Sequence, residues 1–195
     1  MTARDWAHSG TELFLEQLDA VSDADLDMPT ELPGWLRRHV VAHVHFNAKA
    51  LLRLVSWAAT GVESRMYASP GQRAGEIEDG AAWSPGVLRS AVRESAAELE
   101  KAWAELPSDG WRNEVVTAQG RTVPASEVPW MRAREVMIHA VDLRAGVTFA
   151  DLPGDFTSAL LVDVVRKRTA GGEGPALAAW LTGRSPGPPD LGPWL

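Results

Sequence analysis

Residues 36–60 read LRRHVVAHVHFNAKALLRLVSWAAT, and this segment decides the fold class. Val40, Val41, Val44, Leu51, Leu52, Leu54 and Val55 recur at helical spacing and cover one broad apolar stripe, as in a helix that buries one face. Gly61 is the expected stop, because glycine adopts the left-handed backbone that closes helices. Ahead of the segment, Met28-Pro29 and Leu32-Pro33-Gly34-Trp35 break any helix and mark residues 22–35 as a connector. Working outward, helical periodicity returns from about Asp5 to Val21, with Ser9 or Thr11 helping to start it, and from Ser84-Pro85 to Leu106, with Ser84 as N-cap. It returns again from about Ser126 to Arg144, with Pro129 in the first turn, and from about Gly154 to Thr169. Residues 61–85 read as a long polar connection. Residues 111–124 alternate loosely and predict a short hairpin turning at Gly120. A Gly171–Gly174 linker, a short helix around Ala176–Leu181 and a proline-rich tail complete a mainly α chain.

The composition limits what such a chain does. Its 195 residues allow one domain with at most a small appendage. With 45% hydrophobic and 23% charged residues, it has the material for a core and no mark of wholesale disorder. There is no cysteine, which excludes disulfides, cysteine zinc sites and a protein-borne thiol nucleophile. The formal charge of −7 has the wrong sign for binding nucleic acid through phosphate counterion release. The N-terminal residues lack the apolar run of a signal peptide and no stretch reaches the length of a membrane span, so neither nucleic acid nor membrane is an expected partner. The expected location is the cytoplasm.

Any metal must therefore be held by His, Asp or Glu. His8 reads as a solvated surface residue. His39 and His43 lie one turn apart on one helical face, and His45 points elsewhere. Glu135 and His139 also share a face, four residues apart. At that spacing a carboxylate and an imidazole can converge on one cation, with His43 the best third ligand from a neighbouring helix. Three protein ligands with an open position describe a catalytic site, while His39 as a fourth would describe a closed one. On spacing alone, a simple Glu-His helix pair remains open. Arg73, Arg132, Arg134 and Arg184 form a second set, since paired guanidinium groups suit a carboxylate substrate.

Several motifs together resemble one family. Leu32-Pro33-Gly34-Trp35, residues 38–44 (RHVVAHV), Asn47-Ala48, residues 57–63 (WAATGVE) and Met66-Tyr67 are similar to the N-terminal part of mycothiol-dependent maleylpyruvate isomerases. Residues 117–127 (TAQGRTVPASE), Trp130-Met131-Arg132 and the run from Arg134-Glu135 to Asp142-Leu143 are similar to that family's central block. The resemblance covers most of Thr30 to Phe149. It implies a DinB-like four-helix bundle over residues 1–150, and a short, reduced C-terminal segment of helices and proline-rich tail over 151–195. It also implies zinc held by His43, Glu135 and His139, which leaves His39 a neighbour.

The resemblance further implies that Arg73 and Arg184 serve in catalysis and cofactor binding, and that mycothiol supplies the sulfur nucleophile. The implied reaction converts maleylpyruvate, or a related cis-ene dicarboxylate, to its trans isomer fumarylpyruvate by reversible thiolate addition. The partners are then a small carboxylate substrate and a low-molecular-weight thiol, bound by a monomer. A mycothiol S-transferase of the same superfamily and a non-catalytic metal- or thiol-binding module are the alternatives. After Arg168 the sequence departs from the family pattern.

Overall fold

The computed structural model describes residues 1–192; residues 193–195, the end of the proline-rich tail, lie outside the described residues. The chain divides into two compact units, Met1–Asp151 and Leu152–Leu195. The first contains α1 (Ala3–Ala20), α2 (Arg37–Thr60), α3 (Pro70–Ala81), α4 (Pro85–Glu105), a hairpin of β1 (Glu114–Val116) and β2 (Thr122–Pro124), and α5 (Val128–Asp142). The second contains α6 (Gly154–Ala170) and α7 (Gly174–Leu181).

Four helices of the first unit close a bundle: α5 packs on α1 and α2, and α4 packs on α2 and more lightly on α1. Phe14 and Leu18 from α1, Val40, Val41 and Val44 from α2, Leu88 and Val92 from α4, and Val136 and Ala140 from α5 fill one core. The apolar stripe of α2 is central because that helix touches three others. Gly61 ends α2 with φ 73° and returns its N–H to the Trp57 carbonyl. At the other end Leu36 has no side-chain oxygen to cap the helix. His39 contributes instead, its Nδ1 accepting from the Leu36 N–H at 3.1 Å.

Two local expectations are corrected. The start of α1 belongs to Thr2 rather than Ser9 or Thr11: the Asp5 N–H donates to Thr2 Oγ1 at 3.2 Å and the Thr2 N–H to Asp5 Oδ2 at 2.7 Å. This reciprocal cap satisfies two donors that a helix end leaves unpaired. Ser9 and Thr11 instead donate to the Asp5 and Ala7 carbonyls one turn back. The polar connection over 61–85 contains the twelve-residue α3, packed on α2, with Ile77 and Ala81 buried. Ser69-Pro70 carries the same start signal as Ser84-Pro85, but three glycines within the segment mask it.

The hairpin pairs antiparallel with Val115 opposite Val123, both buried, and Gly120 takes φ 78° in the turn. Asn113 Nδ2 donates to the Ala58 carbonyl at 2.8 Å, tying the hairpin to α2. In the second unit, Arg168 grips both oxygens of Glu173 at 3.0 Å and closes the turn between α6 and α7. Among the described residues no helix is long and apolar enough to cross a membrane.

Candidate metal centre

The packing of α2 against α5 brings His43 opposite Glu135 and His139. His43 Nε2 lies 2.7 Å from Glu135 Oε2, and His139 Nε2 lies 3.4 Å from the same oxygen. The two imidazoles meet edge to face with centroids 4.9 Å apart. One ligand atom from each of the three residues falls within 4.8 Å of the others. Residues separated by ninety-odd positions in the chain thus converge at one point.

The surroundings set the charge of each group. Burial pushes the His43 imidazole below its ordinary pKa, more than the hydrogen bond to Glu135 restores. Burial alone would push the Glu135 carboxyl up, but hydrogen bonds from His139 and His43 hold it well below the usual carboxylate range. Burial also opposes charge on His139, yet its hydrogen bonds to Asp142 and Glu135 outweigh that and raise it to about 9. Glu135 is therefore a carboxylate, which only accepts, so neutral His43 donates its Nε2–H to it. His43 Nδ1 is then a buried acceptor with no hydrogen-bond partner among the described residues.

This arrangement fits a divalent cation. Two N–H protons face a single carboxylate oxygen where three potential ligand atoms converge, and a cation bound there would replace them. Two imidazole nitrogens and a carboxylate suit zinc and other first-row divalent ions. His139 already has the support typical of a metal ligand. Its Nδ1–H donates to Asp142 Oδ2 at 2.7 Å, which fixes the tautomer and leaves Nε2 for the centre. Asp142 closes the run noted in the sequence, but its role depends on the i+3 turn back to His139, which the pattern of ligands alone does not reveal.

The Pro33-Gly34 turn has a matching purpose. Gly34 takes φ 78°, the left-handed conformation that a tight turn requires at this point. Thr30 binds the Trp35 carbonyl through both its N–H, at 3.0 Å, and its hydroxyl, at 2.9 Å. The indole thus held lies 5.4 Å from the His43 ring and 6.5 Å from the His39 ring, forming an apolar wall beside the centre. His39 itself is committed through Nδ1 to the α2 cap and through Nε2 to Glu78 at 3.6 Å. It is a neighbour of the centre.

The arginines separate into different roles. Arg73, on α3, is half-buried, and its charge acts on both His43 and Tyr67. It lines a cavity of about 380 Å³ together with Tyr67, Met66, Thr117 and Gly120. Arg132 is 1% exposed and donates to the Val44 carbonyl at 2.8 Å and to Asn47 Oδ1 at 2.9 Å. It ties α5 to α2 and is not a surface grip for substrate. Arg134 stands 5.8 Å from the Trp130 ring centroid, in cation-π range. Arg184 lies in the second unit, exposed, with its guanidinium donating to the Thr182 carbonyl.

The chain is similar to known proteins over most of its length. Residues 7–144 match the family described as the mycothiol maleylpyruvate isomerase N-terminal domain. A crystal structure of a mycothiol-dependent maleylpyruvate isomerase is 46% identical with a TM-score of 0.85, over 87% of this chain and 71% of that one. The structure of a histidine-to-alanine mutant of a mycothiol-dependent maleylpyruvate isomerase is 45% identical, with the same TM-score and coverage. No curated protein matches the chain.

Proposed function

The chain belongs to the mycothiol maleylpyruvate isomerase family, and from that membership we propose that it is a mycothiol- and metal-dependent isomerase. Its substrate is maleylpyruvate, converted to fumarylpyruvate, or a related cis-ene dicarboxylate. We assign His43, Glu135 and His139 as the ligands of a divalent metal, which we take to be zinc. The observation that carries the proposal is the convergence of these three side chains, with His139 oriented by Asp142.

When bound, the metal supplies a fixed positive charge that lowers the pKa of a thiol brought to it, so that the sulfur of mycothiol acts as thiolate at neutral pH. The residues of this chain supply the rest. Three protein ligands leave coordination positions open to an incoming group. Asp142 holds His139 in one tautomer and orientation. Trp35 screens His43 from water on one side, which strengthens electrostatic interactions within the centre. Arg73, at the cavity beside Tyr67, is assigned to a substrate or cofactor carboxylate, which its planar fork can bind bidentately. Arg184 enters the proposal through the family resemblance.

Turnover of maleylpyruvate with and without added thiol and zinc tests the proposal. Activity is expected only with both present, and to be lost in His43→Ala, Glu135→Ala and His139→Ala. Equal turnover by a metal-stripped protein contradicts the ligand assignment.

A further inference from the structure

Tyr67 is the single tyrosine of the chain, and neither the metal centre nor the role assigned to Arg73 uses it. It lies between α2 and α3, half-buried, and lines the cavity of about 380 Å³ that Arg73 also lines. Arg65, another cationic donor at that cavity, is occupied by Glu63. The Tyr67 hydroxyl has no hydrogen-bond partner among the described residues. Among the charged groups that act on it are the Arg73 guanidinium and the Glu135 carboxylate. Burial pushes the phenol up, Arg73 and Arg53 pull it partly back, and Glu135 and Glu76 add to the rise. Its proton therefore stays in place at neutral pH, and the group offers an intact O–H donor.

A conjugated cis-ene substrate needs three things of such a site: a cation for a carboxylate, access of its double bond to a nucleophile, and a donor for the oxygen that gains charge between them. The guanidinium of Arg73 meets the first need and the metal centre the second. The only uncommitted phenol that both of them act on is Tyr67. We propose that Tyr67 is a catalytic residue, donating a hydrogen bond to the substrate carbonyl oxygen conjugated with the cis double bond. The proposal rests on the isomerase assignment above. As a nucleophile adds to the alkene carbon, the π electron pair moves toward that oxygen, and a preorganised neutral donor gains strength there without moving a proton. A neutral phenol suits this better than a second guanidinium, which would bind the ground-state carboxylate as strongly as the transition state.

The test is Tyr67→Phe, which keeps the ring and removes only the O–H. The variant is expected to fold and to retain the zinc content of wild type. It is expected to lose about 10²-fold in kcat/KM, as for other single oxyanion donors, with the loss in kcat rather than KM. A kcat equal to wild type overturns the proposal. Because there is one tyrosine, labelling tyrosine with carbon-13 at Cζ gives one resonance in the full, zinc-loaded chain. Acetopyruvate, a dioxo acid without the double bond, serves as the probe. A shift of the Cζ resonance on its addition, absent when Arg73→Ala removes the carboxylate anchor, supports the contact, and an unmoved resonance at saturating probe overturns it. If wild type fails to isomerise maleylpyruvate, the isomerase assignment falls by itself, and the resonance still decides whether Tyr67 meets an oxo acid.

Discussion

Asp142 is not itself one of the assigned ligands, yet removing it should loosen the metal. Its Oδ2 accepts from His139 Nδ1 at 2.7 Å, a length typical of a charge-assisted bond, and after burial it is the leading cause of the shift that carries His139 to about 9. Orienting carboxylates of this kind are worth about 10–100-fold in metal affinity, or about 1.4–2.8 kcal/mol at the usual conversion. Asp142→Asn keeps an acceptor at the same place but loses the charge, so it should sit near tenfold. Asp142→Ala also frees the ring to rotate and to change tautomer, so it should approach a hundredfold. Competition with a chromophoric chelator at about neutral pH reads these affinities directly. The same series tests the cause: without Asp142 the His139 pKa falls, so zinc uptake at mildly alkaline pH releases less of a proton than in wild type. Zinc bound as tightly by Asp142→Ala as by wild type would show that Asp142 does not orient His139 for the metal.

Further outcomes follow from the same geometry. Since His139 in the metal-free protein is raised to about 9, it is protonated at neutral pH, and zinc uptake should release about one proton there, measurable by calorimetry in buffers of different ionisation enthalpy. A raised pKa also means that His139 stabilises the metal-free fold below its ordinary value of 6.5 and that this stability is lost as pH rises through about 9; a pH series of denaturant midpoints checks the direction. His39→Ala should keep full zinc content but lose about 1 kcal/mol of stability, through the missing α2 cap, whereas His43→Ala should lose the metal; the reverse result would exchange their roles. Gly10 lets α1 approach α5: a Cβ there would lie 2.7 Å from Val136 Cγ2 and 2.9 Å from Met137 Cγ, so Gly10→Ala should cost about 1–3 kcal/mol by overpacking, seen as a lower thermal midpoint.

Much of the bundle was legible because its signals are local and periodic. The stripe of α2, the Ser84-Pro85 start of α4 and the Gly120 turn each follow from a few adjacent residues. α3 was hidden because Gly71, Gly75 and Gly80 look like loop residues; Gly80 is required instead by Phe46, whose Cε2 would lie 2.8 Å from a Cβ there. For the site, Glu135 and His139 declare themselves by their four-residue spacing, but spacing alone left a simple helix pair open. Only the α2–α5 packing brings His43 within 2.7 Å of Glu135. Sequence groups Arg132 with the other arginines because it shows charge and not burial; its partners, Val44 and Asn47, lie on another helix. Trp35 and Asp142 were quoted within motifs, and their work emerged only with distances to the two histidines.

Isomerisation of a cis-ene dicarboxylate by the proposed metal centre acting with an external thiol leaves a signature in both the mass and the geometry of the product. Mass spectrometry with proton NMR on zinc-loaded protein, maleylpyruvate and mycothiol tests it most directly. The expected product has unchanged mass and a trans double bond, forms only when thiol and metal are both present, and leaves mycothiol recovered in full. A product heavier by one mycothiol, or no conversion by protein shown to hold zinc at His43, Glu135 and His139, would contradict it.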